Sequence, residues 1–216
     1  MPVLCPDEET TLGRSATLSG TRRSRNSGFS MVELAVSLTV MLILTAIAIP
    51  SLMNSFRTYQ LNDAAGRLSD MLKYTRFEAV RQNKQINFLM QPSGIGWIIG
   101  VDSNANGTVD AAEKQQVIGS FAALLPAGAP PNTAAITATL NGATLTTLSG
   151  NPGSVTFDAR GAIRQSLGGA VSTNVDVFYL GSVTNPEYGY RAVILLPSGA
   201  VQIWTAPMNG PWQRVG

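Results

Sequence analysis

The chain has 216 residues, enough for one ordinary domain and an anchor, and is 44% hydrophobic but only 13% charged. With no histidine and a single cysteine, Cys5, it excludes an internal disulfide, a Cys/His zinc site and any Ser/His or Cys/His nucleophile pair. Formal net charge is +2, and from Gln85 onward five basic residues face six acidic ones, so this part has no bulk pull on nucleic acid.

The first element is "RRSRNSGFSMVELAVSLTVMLILTAIAIP", Arg22 to Pro50. Its apolar run, Phe29 to Ile49, spans about 32 Å as a helix, close to the roughly 30 Å hydrocarbon core of a bilayer. Arg22, Arg23 and Arg25 precede it, which predicts a cytoplasmic start and an external remainder. One reading is a cleaved signal peptide, since Ala46 and Ala48 form an A-x-A arrangement; the run is longer than usual for that and carries Glu33. A plain single-pass anchor is the other, but a carboxylate entering lipid calls for a partner charge.

The stretch "SGFSMVELAVSLTVMLILTAIAIP" resembles the leader and N-terminal helix of type IV pilins and type II secretion pseudopilins. The resemblance implies a leader over 1–28 that ends at Gly28 and is removed there by a prepilin peptidase. It also implies N-methylation of the new terminus, Phe29. Glu33 then stands fifth in the mature chain, where the family's acid pairs with the N-terminal amine of a neighbouring subunit, and Pro50 matches the family's helix proline. An assembly role follows for Glu33 and Pro50, in the transmembrane part of the helix over 29–50.

Beyond Pro50, Leu61, Ala64, Ala65, Leu68, Met71, Leu72, Thr75 and Ala79 recur at three- and four-residue steps. This predicts an amphipathic helix over 51–84, continuous with the first apart from a kink or short break at Pro50. Its other faces carry a basic excess, read as a solvated surface rather than a phospholipid contact. "YTRFEAVRQNKQINF" is similar to the helix end and first strand of the GspH/FimT branch of minor pseudopilins and minor pilins.

From residue 85 to 216 the period changes. "QINFLMQ", "GWIIGV", "QQVIGSF", "AAITATL", "SVTFDA", "VDVFYLG", "YRAVILL" and "AVQIWTA" read as about eight strands between Gly-, Asn- and Pro-rich turns. The predicted fold is α+β: a long N-terminal helix packed on an antiparallel β-rich head, type IV pilin-like. A long loop is expected around "PAGAPPN". Trp204 and Trp212 are expected in the core or at its rim.

"DSNANGTVDAAE" matches a calcium-loop pattern. Asp102, Asn104, Asn106, Thr108, Asp110 and Glu113 are the candidate metal ligands, with Gly107 at the turn. A strand rather than a helix precedes it, so a hairpin closed by Asx turns is the competing reading. The GspH/FimT resemblance implies a structural role for such a loop without requiring metal. No cofactor is otherwise indicated. No carboxylate pair for catalysis is apparent either: Asp158 and Asp176 fall on a turn and a strand. The chain is therefore read as a non-enzyme.

FimT-like pilins of uptake systems carry a G-R-x-R element for DNA. In "PSGAVQIW" Gly199 matches, but Ala200 and Gln202 replace the arginines, so nucleic acid is disfavoured. The implied function is that of a minor pseudopilin, a structural subunit of a type II secretion pseudopilus; the alternative is a FimT-like minor pilin of a type IV pilus. The implied partners are other pseudopilins or pilins in a filament, the prepilin peptidase, an inner-membrane assembly platform and the lipid bilayer. The implied location is the bacterial inner membrane, single-pass, with the head in the periplasm.

Overall fold

The structure, a computed structural model, describes residues 28–94, 96–148 and 153–215. The chain divides between Thr45 and Ala46 into two units. In the first, the described residues from Met31 onward are helical and belong to α1 (Met31–Gln82). Every described side chain in that unit is exposed. Its hydroxyls are turned back onto the helix: Ser37 Oγ donates to Glu33 O at 2.7 Å, Thr39 Oγ1 to Ala35 O at 2.8 Å and Thr45 Oγ1 to Met41 O at 2.7 Å. Those polar groups thus ask nothing of the surroundings, as hydrocarbon requires.

In the second unit α1 continues through Pro50 without a break. The proline lacks an N–H, so the carbonyl of Ala46 goes without its helical donor. From Leu61 on, all eight residues expected on the inner face are buried. Leu68 and Leu72 are fully buried, each stabilising the fold by about 1.5–3 kcal/mol. The helix stops where Asn83 turns left-handed, at φ 51°, and Lys84 N–H reaches back to Ala79 O at 3.2 Å, a turn that asparagine enters more readily than most residues.

The strands among the described residues are β1 (Ile86–Ser93), β2 (Gly96–Asp102), β3 (Gln115–Gly119), β4 (Ala123–Leu125), β5 (Leu145–Thr147) and β6 (Gly153–Phe157), followed by β7 (Ile163–Arg164), β8 (Val175–Gly181), β9 (Tyr190–Leu195), β10 (Val201–Ala206) and β11 (Gln213–Arg214). One sheet has the order β3-β2-β1-β6-β7 and the other β11-β10-β9-β8-β4, with β5 added beside β8. All pairs are antiparallel except β5 with β8.

Both sheets pack on α1 in one core. Phe88 is central: its strand partners are Val101 and Val155, and its ring meets Phe178 of the second sheet edge-on, centroids 6.0 Å apart. A second core lies on the far face of the second sheet. There Val175, Val177 and Tyr179 of β8 and Ala192 and Ile194 of β9 meet Trp204, Trp212 and Ile136. Sheltered on both faces, β8 and β9 are apolar runs interrupted only by Asp176 and Arg191. Both tryptophans are core residues, as expected.

One expected strand is a helix. "AAITATL" forms α2 (Ala134–Thr139), lying in the chain between β4 and β5. Its β-branched residues suggest a strand, but Ile136 is its one fully buried residue, with Ala135 half-buried beside it against the second core, while Thr137 and Thr139 bond the carbonyls of Ala134 and Ala135. Asn132 Oδ1 accepts the Ala134 N–H at 2.8 Å and starts the turn. Burying one residue in this short segment suits a helical turn, where a strand would alternate.

Candidate functional site

Two regions hold the residues singled out above. At the N-terminal one, Gly28, Phe29 and Ser30 precede α1, and Leu34 N–H donates to Ser30 O at 3.0 Å. Glu33 sits in the first turn, where unpaired N–H groups and the helix dipole favour a carboxylate. Phe29 is 73% exposed. A Cβ added at Gly28 would meet no atom within 4 Å, so packing gives no reason for glycine there. The rest of the leader, 1–27, lies outside the described residues. α1 is long and apolar enough to cross a membrane.

The second region is the loop between β2 and β3. It brings Asp102, Asn104, Asn106, Thr108, Asp110 and Glu113 together, bonded chiefly to one another. Asp102 is 1% exposed. Its Oδ1 accepts Asn106 N–H at 3.1 Å, and its Oδ2 accepts Gly107 N–H at 3.1 Å and Asn87 Nδ2 at 3.2 Å. Asn104 Oδ1 accepts Asn106 N–H at 3.0 Å, and Asn106 Oδ1 accepts Thr108 N–H at 2.8 Å. Asp110 Oδ2 accepts the side-chain amides of Asn104 and Asn106 at 2.9 and 2.8 Å. Glu113 Oε1 accepts Ser103 N–H at 2.7 Å, and its Oε2 accepts Asp110 N–H at 3.0 Å. Gly107, at φ +80°, makes the turn that a side chain would strain.

This is a chain of Asx turns closed by two carboxylates. Every carboxylate oxygen that a calcium ion would take already accepts a hydrogen bond from the loop or from β1, Asp110 Oδ1 only a long one from Thr108 Oγ1 at 3.5 Å. Among the described residues no group of three or more His, Cys, Asp or Glu could hold a metal ion. As arranged, these carboxylates serve the loop's own N–H groups and side chains.

Of the other acids, Asp158 and Asp176 lie on different sheets, at the turn after β6 and on β8. Burial pushes the Asp158 carboxyl up, but N–H groups of Ala162 and Arg160 and the Arg164 guanidinium together hold it below the usual range. Asp176 has no such donors, and burial pushes it up to about 6. Glu78, at the end of α1, is held down to about 2, chiefly by its hydrogen bonds to Arg81. In the hairpin compared with the DNA-binding element, Gln202 Oε1 accepts Trp204 Nε1 at 3.2 Å. A Cβ on Gly199 would fall 2.1 Å from Gly161 O.

One group that the sequence did not single out is Arg191 on β9, only 6% exposed. Its Nε donates to Asn62 Oδ1 at 2.6 Å and its Nη1 to Tyr190 O at 2.9 Å. Burial pushes its guanidinium down. Strand alternation marks it in "YRAVILL": Arg191 is in phase with Val193 and Leu195, which face α1.

A family model described as Type II transport protein GspH matches residues 64–199, more than half of the chain. The Prokaryotic N-terminal methylation motif matches residues 23–49. No curated protein matches the chain. Two solved structures of the type IV minor pilin FimU from Pseudomonas aeruginosa (strain PAO1) are similar at 19% identity. The crystal in space group P65 aligns over 68% of this chain and 94% of FimU with a TM-score of 0.44. The one in P21 aligns over 69% and 90% with a TM-score of 0.42. At such scores they carry no functional weight.

The family consists of structural pilin-like subunits that assemble with other pilins, not of enzymes. With the methylation motif covering the start of α1 and the GspH model covering the C-terminal third of α1 and most of both sheets, the chain belongs to the GspH family of pilin-like proteins.

Proposed function

We propose that this protein is a minor pseudopilin of a type II secretion system: a single-pass inner-membrane protein with its head in the periplasm, drawn by the inner-membrane assembly platform into a short filament. A prepilin peptidase cuts after Gly28, and the amine of Phe29 is methylated. The observation that carries the reading is Glu33. It is an acid in the first turn of an otherwise apolar, fully exposed helical stretch, five places along from the cut if Phe29 counts as the first. An unpaired carboxylate inside an apolar bundle costs several kcal/mol. The fresh amine of a neighbouring subunit offsets that cost and is itself neutralised. The GspH family favours secretion as the host system.

The Asp102–Glu113 loop, on this reading, is a structural hairpin that stiffens the end of β2 without metal, and its satisfied carboxylates support that. The test of the assembly role is Glu33→Ala in the native host, with processing followed separately. The account expects a processed subunit missing from the sheared filament fraction. Incorporation equal to that of the native chain would defeat it. Deleting the chain should stop release of secreted proteins and leave surface pili intact.

A further inference from the structure

Among the described residues, Arg191 is a buried cation with no anion beside it. Its guanidinium donates to an amide oxygen and a carbonyl oxygen, and none of the ion pairs among the described residues includes it. Its Nη2 donates to no described residue, nor is it among the sealed, unsatisfied atoms. The opening beside it is a groove of about 380 Å³, lined by Asn62 and Ala65 of α1, Arg191, Ile203 and Thr205 of β10, and Val215. Val215 is fixed there by its N–H to Ile203 O at 2.8 Å. The walls are mostly apolar and the charge lies at the base.

A guanidinium held in place by Asn62, with an unused edge toward such a groove, matches a carboxylate in planar, two-point geometry. The apolar walls suit the methylenes of an acidic side chain better than a fully hydrated anion. A charge kept buried without a counter-ion is costly on its own, and that cost is removed when an incoming acid completes the pair.

We propose that the Arg191 groove receives an Asp or Glu side chain of a neighbouring filament subunit. The contact rests on the assembly reading above, but it lies on the head and does not involve Glu33.

The test places a benzophenone amino acid at Val215 in the full chain, in its native host, and irradiates assembled filaments. The expected product is a cross-link to a peptide of another filament subunit that contains Asp or Glu. Its yield should fall at least about tenfold with Arg191→Gln and with Thr205→Trp, which fills the groove from the β10 position directly opposite the arginine. It should survive Arg191→Lys better than Arg191→Gln, and neutralising the partner acid should reproduce the loss. A chain present in filaments but cross-linked only to lipid, only to a peptide without an acid, or not at all overturns the groove proposal alone. So does a yield indifferent to Thr205→Trp. A native chain absent from the filament fraction overturns the assembly reading and this proposal together.

Discussion

Replacing Asp102 with alanine removes the acceptor for two backbone N–H groups, those of Asn106 and Gly107, and for the Asn87 amide. Hydrogen bonds to a charged acceptor are each worth roughly 1.5–3 kcal/mol. Asn106 and Gly107 are exposed and regain water, so the low end applies and the loss of the three bonds comes to about 4.5 kcal/mol. Asp102→Asn keeps one acceptor oxygen and should lose about half as much. The fragment 54–216 retains every described buried residue, since these begin at Leu61. Its urea midpoint, followed by the fluorescence of Trp97, Trp204 and Trp212, gives the free energies. The same values are expected with chelator and with millimolar calcium. Variants within about 0.5 kcal/mol of the parent would refute the Asx-turn account. A calcium-dependent rise of the parent that Asp102→Ala abolishes would replace it with a metal site.

Asp176→Asn tests the unpartnered acid on β8. Its carboxyl is raised from 3.8 to about 6 in the folded state, so between those values the folded protein binds the extra proton and stability falls as pH rises. The full shift would be near 3 kcal/mol, but the group is only half-buried and solvent screening reduces it. The variant should gain about 1 kcal/mol at pH 7.5 and little at pH 4; an equal gain at both would contradict the assignment. Phe178→Ala should cost about 3–5 kcal/mol, because Phe88, α1 and both sheets lose a shared contact; a loss below 1 kcal/mol would mean that the sheets do not share a core. Purified head should give no shift of double-stranded DNA in gels at 50 mM salt; retention that weakens with salt would reopen an uptake role.

The inner face of α1 was legible because one period of apolar residues met one continuous surface. The main strands were legible too, β8 and β9 as apolar runs with one charged residue each. The segment "AAITATL" was not, since its residue types favour a strand and the reason for a helix is Ile136, with Ala135, facing a core built largely from β8, β9 and β10, later in the sequence. The short strands β4, β5, β7 and β11 escaped for a related cause: two or three residues carry no period, and pairing alone defines them. At the loop the pattern named the correct residues but could not choose between ion and N–H as their common partner. Which one they serve depends on the direction of each oxygen. Arg191 was visible only as an interruption in an inward-facing row, and its lack of a counter-ion required the fold.

The central claim is that the helix enters a filament after a cut that frees Phe29. Intact-mass and N-terminal peptide analysis of the mature protein from its native membrane reads this directly. The account predicts a chain that begins at Phe29 and carries one methyl group on its amine. A chain still bearing residues before Gly28, or one cut near Ala48, would contradict it.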